Sequence, residues 1–237
     1  MGEDLRDDVE CLLFDVGGSI FDWQTAIVRS LDRVDSTTLG ALDPQTFAST
    51  WRRRSLMHMY AIATERVPWR PFDEFIVLAL TEALDEHEVG SISASDRSTL
   101  ERAWRAMPVW PEVVPSIARL KTRYVVAPHT ILSLAAVAHS SKIAGLDWDA
   151  IVSCDAIKVT KTNPDSYLGA ARTIGFDVDR ICYVAAHTSD LDVASGLGLR
   201  TAFVQPRLDE YGEEPTGAVD RFDVFAVDYA DLADQLV

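Results

Sequence analysis

Apolar residues along this chain follow two rhythms. From about residue 111 onward, short runs such as YVVAP, AIVS, ICYVAA, TAFV and DVFAV are separated by stretches whose apolar positions recur every three or four residues. The short runs predict buried strands, and the longer spacing predicts amphipathic helices at 112–121, 132–143, 164–174 and 190–196. Strands and helices alternating in this way predict a parallel sheet covered on both faces. Another buried strand is expected at Leu12, Leu13 and Phe14. Between it and the alternating part, TFASTWRRRSLMHMYAIATERV, RPFDEFIVLALTEALDEH and ASDRSTLERAWRAM carry only the helical period, as in Phe72, Phe75, Ile76, Ala79, Leu80 and Leu84. MPVWPEVVP, with three prolines, marks the return to the sheet. The expected architecture is an α/β core from residues 1–21 and 109–237, split by an all-helical insertion at 22–108. Residues 207–221, which include Gly212, Pro215 and Gly217, read as a polar loop.

Composition narrows the classes. With 237 residues and 48% hydrophobic content the chain can bury a substantial core. A formal net charge of −15 disfavours nucleic acid, whose phosphates are bound through Lys and Arg. No apolar stretch approaches the roughly 20 residues needed to span a bilayer. The start, MGEDLRDDVE, lacks the basic and apolar segments of a secretory signal, so the cytoplasm is the expected location. Cys11, Cys154 and Cys182 are odd in number and show no CxxC spacing, so neither a disulfide framework nor a zinc site is expected.

Chemistry enters at the strand ends. In LLFDVGGSIFDW an apolar run ends in Asp15, followed by Val16 and the pair Gly17 and Gly18. Ligands of open α/β sheets bind beyond the carboxyl ends of the strands, so an acid there is placed to react or to bind. The plainer reading is an Asp that caps the next helix or closes an Asx turn. Three other strand ends carry polar residues: Thr130 after YVVAP, Lys161 after AIVS, and His187 with Asp190 after ICYVAA. Together they suggest nucleophilic catalysis by a carboxylate, with a cation to orient it and hydroxyl or amide groups to hold an anion.

FDVGGSIFDW also resembles the first motif of the haloacid dehalogenase superfamily, and the helical insertion resembles that superfamily's helical cap. VWPEVVPSIARLKTRY, GLDWDAIVSCDAIKVTK and VAAHTSDLDVASGLGLRTAFV are similar to the 2-haloacid dehalogenase branch, and the resemblance spans residues 10–206. It implies a Rossmann-like core. Residue by residue it implies Asp15 as nucleophile, Lys161 as the motif lysine and Asp190 as the acid of the last motif. It implies Ser19, Thr130 and Arg52 as substrate-binding groups; His187, at a strand end, is placed to hydrogen-bond in the network around the water and substrate, its plainer reading being a satisfied structural histidine. Arg52 follows Trp51 in WRRR, and its plainer reading is a solvated cationic helix face.

The superfamily's phosphatases are the main rival. They usually carry a second Asp two residues after the nucleophile and an acid four residues before the second motif acid; here those positions are Gly17 and Ala186. Magnesium needs hard oxygen ligands, so their loss points away from phosphoryl transfer, and no metal or other cofactor is expected. The resemblance implies instead attack of Asp15 on the carbon bearing a halogen of a small anionic acid, then hydrolysis of the ester to a 2-hydroxy acid. Departures concern the substrate: Ile131 replaces an Asn, Gly17 an aromatic residue, Thr162 a proline and Ala185 a serine found in some members. An alternative register would use His129 as the polar residue of the second motif. A hydrolase with altered substrate, such as a weak phosphatase, and a non-catalytic binding protein are the other readings. Helical caps often contribute dimer contacts, and Trp51, Trp69 and Trp104 are compatible with a homodimer.

Overall fold

A computed structural model describes residues 2–35, 37–208 and 221–237. The short apolar runs form one six-stranded sheet, every pair parallel, in the order β3-β2-β1-β4-β5-β6. The strands are β1 (Cys11–Phe14), β2 (Val125–Thr130), β3 (Val152–Ser153), β4 (Ile181–Ala185), β5 (Arg200–Val204) and β6 (Val224–Ala226). β1 sits in the middle, and the chain builds outward on one side of it before crossing to the other. The strand order therefore reverses beside β1, where such sheets open a crevice at their carboxyl ends.

Side chains alternate between the two faces of the sheet. Leu12, Phe14, Cys182, Val184, Ala202 and Val204 enter the larger core, while Cys11, Leu13, Tyr183, Ala185 and Phe203 enter a second core on the opposite face. Helices cover both faces: α1 (Gly2–Asp8), α7 (Val113–Leu120), α8 (Leu134–Ala144), α9 (Cys154–Ile157), α10 (Pro164–Ile174), α11 (Thr188–Gly196) and α12 (Tyr229–Leu236). Their ends carry the expected chemistry. Ser133 and Asn163 cap α8 and α10, and Gly145 and Gly175 take the left-handed conformation that ends them.

Among the described residues from 22 to 108 the regular elements are all helical: α2 (Trp23–Leu31), α3 (Thr37–Gly40), α4 (Pro44–Ala63), α5 (Phe72–Glu86) and α6 (Ala94–Glu101), then one 3-10 turn at Arg102–Arg105. The two ends of this segment run side by side. Phe21 bridges Val109, and the Asp22 N–H donates to Pro108 O at 2.9 Å. α4 and α5 pack through Phe47, Trp51, Phe72 and Phe75, and the Trp51 indole N–H donates to Ile76 O at 2.9 Å. Trp51 and Trp104 meet edge to face at 5.7 Å, both buried, so these two belong to the interior and not to an exposed dimer surface. Trp69 is half-buried.

Helices α1, α9 and α12 were not expected from the sequence, and the strand expected at 150–153 is reduced to its last two residues. The loop expected at 207–221 lies outside the described residues except for 207, 208 and 221. Cys11, Cys154 and Cys182 are free and buried. Among the described residues no helix is long and apolar enough to cross a membrane.

Candidate active site

Asp15 leaves β1 at the sheet edge while its backbone stays tied to the neighbouring strand, its N–H donating to Val184 O at 2.9 Å. The loop that follows turns back at once. Gly18, at φ +92°, holds a conformation that disfavours any side chain, and the Ile20 and Phe21 N–H groups both return to Val16 O. This fold-back sets Ser19 against Asp15: its Oγ donates to Asp15 Oδ2 at 2.6 Å and accepts from the Ala186 N–H at 3.1 Å. The cap of the next helix is Asp22, whose carboxylate accepts from the Thr25 N–H. Asp15 is thus not the helix cap of the plainer reading.

Lys161 arrives from the loop between α9 and α10. Its ammonium lies 2.7 Å from Asp15 Oδ1 and 3.2 Å from Asp190 Oδ2, and the three side chains are all buried. Asp190 sits in the first turn of α11, where the helix dipole favours an anion, and its other oxygen accepts from the Tyr167 hydroxyl. His187, just before α11, places Nδ1 3.0 Å from Asp15 Oδ2. An ionised carboxylate only accepts, so Nδ1 is the donor. Arg52 projects from α4 into the same site; its Nη2 donates to Gly17 O at 3.2 Å, and its guanidinium lies over the Trp23 ring at 5.5 Å.

Burial alone would push the Asp15 carboxyl up. The charge of Lys161 and the hydrogen bond from His187 reverse this and hold it well below the usual carboxylate range. Burial would likewise strip Lys161 of its proton, but Asp15 and Asp190 hold it protonated, with its pKa above the ordinary lysine value. The site therefore keeps an ionised, oriented carboxylate beside a fixed cation.

A narrow cavity of about 30 Å³ opens on this group, lined among others by Gly17, Arg52, Leu56, Met59, Ile131 and Thr162. That is room for a water or two. A wider cleft of about 400 Å³, lined by Trp69, Lys158 and Thr160 among others, lies between the end of α4 and the loop before α10. It contains neither Asp15 nor Arg52, so the charged groups assign the chemistry to the smaller cavity.

The sequence-derived residues divide in two. Asp15, Lys161, Asp190, His187 and Arg52 share the cavity. Ser19 and Thr130, expected to bind substrate, are not among its lining residues. Ser19 is engaged by Asp15 and Ala186, and the Thr130 hydroxyl accepts from the Leu132 N–H at 3.1 Å in the turn after β2. Ile131 faces the cavity in place of Thr130. His129 points to the opposite side, among Tyr183, Tyr167 and Ser166. Sequence reasoning missed Tyr167 and Tyr183, which lie inside stretches read only as helix and apolar strand.

Asp15, His187 and Asp190 bring ligand-type atoms within 4.8 Å of one another, a grouping that could hold a metal ion. The donor set fits one poorly. The Lys161 ammonium already stands between the two carboxylates, and Gly17 and Ala186 offer no further carboxylate oxygen.

No protein-family model matches the chain. It is 27% identical to (S)-2-haloacid dehalogenase 4A of Burkholderia cepacia over 88% of its own length and 87% of that protein. Among solved structures it is similar to an L-2-haloacid dehalogenase, with TM-score 0.86, 26% identity, and 96% of this chain and 98% of that one covered. A defluorinating L-2-haloacid dehalogenase gives TM-score 0.86 and 29% identity, over 96% of this chain and 95% of its own.

Proposed function

We propose that this chain, similar over most of its length to 2-haloacid dehalogenases, is a haloacid dehalogenase superfamily member and a metal-independent hydrolase of short 2-haloalkanoic acids. The observation that carries the reading is the set of groups around Asp15. Its carboxylate is held on one oxygen by Lys161 and on the other by Ser19 and His187, and is set at the cavity that Arg52 also lines. In the proposal, residues 1–21 and 109–237 form the core that carries Asp15, and residues 22–108 form the cap that carries Arg52. The side-by-side run of the cap's two ends at Phe21 and Val109 supports this division.

Asp15 attacks the carbon bearing the halogen, a C–O bond forms as the carbon–halogen bond breaks, and halide leaves with the electron pair. Displacement at carbon inverts its configuration. No leaving-group proton is needed, which suits a site with Gly17 where a phosphatase would have its acid. Arg52 meets the substrate carboxylate or the departing halide with a planar fork of donors. Water then adds to the Asp15 carbonyl carbon, and the acyl–oxygen bond breaks as one water proton passes to the leaving alkoxide. The second proton is released to solvent as the Asp15 carboxylate re-forms, and the 2-hydroxy acid leaves with an oxygen that was Asp15's. Lys161 and Asp190 hold Asp15 in place through both steps, and His187, whose Nδ1 lies 3.0 Å from Asp15 Oδ2, is the neighbour proposed to orient the water.

The direct test is halide release from chloroacetate, fluoroacetate and each enantiomer of 2-chloropropionate, with EDTA present. Release that persists in EDTA and is absent from Asp15→Asn is expected. Release that requires magnesium, or turnover of phosphate esters in its place, overturns the reading.

A further inference from the structure

An ammonium has three N–H donors, and hydrogen bonds account for all three of Lys161's. They reach Asp15 Oδ1 at 2.7 Å, Tyr183 Oη at 3.0 Å and the His129 carbonyl at 3.2 Å. Tyr183, accepting from a cation, must send its own proton elsewhere. His129 Nδ1 lies 3.1 Å from that hydroxyl, nearer than the His129 carbonyl at 3.4 Å. An Nδ1 that accepts leaves the ring proton on Nε2, which lies 3.0 Å from Ser166 Oγ; Ser166 in turn lies 3.4 Å from Cys154 Sγ. Tyr183, His129 and Ser166 then each donate once and accept once, in a series running from Lys161 away from the reaction centre.

The alternation of the strands builds this arrangement. Leu13 pairs with Ala127 on one side and Tyr183 on the other, and His129 lies two residues beyond Ala127, on the same face. Both His129 and Tyr183 are wholly buried, and the Tyr167 ring packs against each at 5.1 Å. The groups facing His129 are Tyr183, Ser166, Cys154 and Tyr167, with the charges of Lys161 and Asp15 close by. Burial, then the Lys161 charge, push its pKa well below the ordinary histidine value, against a smaller pull from Asp15, so the ring is neutral. A buried imidazole is costly unless hydrogen-bonded, and the displacement of halide makes no use of it.

We propose that His129 and Tyr183 are positioning residues for Lys161. The imidazole accepts the Tyr183 proton, which turns a phenol lone pair to the ammonium and fixes Lys161 against Asp15. The kinetic part of this assignment rests on the proposed hydrolysis; the hydrogen-bond part does not.

The test has two arms. Tyr183→Phe should lower kcat by roughly tenfold to a hundredfold, the scale of one hydrogen bond to a charged group, with KM nearly unchanged because Tyr183 does not line the cavity. His129→Leu should do the same, and His129→Asn, which keeps an acceptor near the Nδ1 position, should recover most of the loss. Wild-type kcat in Tyr183→Phe, or a rise in KM in place of the fall in kcat, overturns the assignment. In the second arm, nitrogen-15 spectra of the histidine-labelled wild-type protein should show His129 neutral and protonated on Nε2 throughout the range where an ordinary histidine titrates. An Nδ1–H tautomer or an imidazolium overturns it. A wild-type protein that releases no halide would remove the proposed function while leaving the tautomer to decide this assignment.

Discussion

Asp15 and Lys161, 146 positions apart in the chain, meet in a buried ion pair of 2.7 Å. Desolvating two charges costs free energy that their attraction offsets only when geometry and further hydrogen bonds are good. Here they are: Ser19 and His187 complete Asp15, while Tyr183 and the His129 carbonyl complete Lys161. The pair makes sense as chemistry, because it keeps a carboxylate ionised where water is scarce.

Replacing Asp15 by Asn keeps the shape and removes the proposed nucleophile. Halide release should fall by at least about a thousandfold, the scale on which loss of a nucleophile acts. Circular dichroism should show an intact fold. Release at the wild-type rate would remove Asp15 from its role.

Removing the partner reverses the balance on Asp15. In Lys161→Met, burial acts without the lysine charge and the Asp15 pKa should rise. The cost at neutral pH should be about 3–5 kcal/mol, as for other broken buried pairs. The sign with pH follows from the wild-type shifts. Asp15 is depressed from 3.8, so its contribution is complete above that value and fades as pH falls toward its folded pKa. Lys161 is raised from 10.5, so its contribution is complete below that value and fades as pH rises toward its folded pKa. Urea unfolding across pH should therefore show the variant's deficit largest between these limits and shrinking in acid. A deficit independent of pH would mean that the pair is not what the mutation removes.

Arg52→Lys tests the role proposed for the helical segment that carries it. The guanidinium reaches Gly17 O while lying over Trp23, and an ammonium cannot keep both contacts and still present a planar fork. KM for a 2-haloacid should rise by about tenfold or more, given the strength of charged hydrogen bonds. An unchanged KM would place the substrate carboxylate elsewhere.

Ile131 faces the cavity at the position where the resemblance implies an Asn. Ile131→Asn should raise kcat/KM on short 2-haloacids. An unchanged or lower value in a folded protein would count against that correspondence.

The sheet was legible because its strands are buried on both faces and so read as unbroken apolar runs. β3 was expected two residues too long, since only Val152 and Ser153 pair. α12 keeps a helical period in Tyr229, Leu232, Ala233 and Leu236, but its eight residues are shorter than the window over which that period is diagnostic. Strand-end logic found Asp15, Lys161, His187 and Asp190. It could not separate the uses of a small hydroxyl: Ser19 serves Asp15, and Thr130 serves a backbone turn. Among the arginines of WRRR only spacing helps. Phe47, Ala48, Trp51, Arg52 and Ser55 form one buried face, whereas Arg53 and Arg54 turn outward to Glu86. Tyr183 is hidden in an apolar run, and the sequence offers His129 only as an alternative polar residue of the second motif; the signal that joins them is alternation, which puts both on the face that carries Leu13.

The central claim is that a bond forms between Asp15 and the substrate carbon. A single turnover of excess enzyme with one 2-chloropropionate enantiomer in oxygen-18 water, followed by mass spectrometry of the peptide containing Asp15, tests it most directly. The expected result is one heavy oxygen in that peptide and none in the hydroxyl of the product. Heavy oxygen in the product with an unlabelled peptide would mean that water attacks carbon directly, and that Asp15 is not the nucleophile.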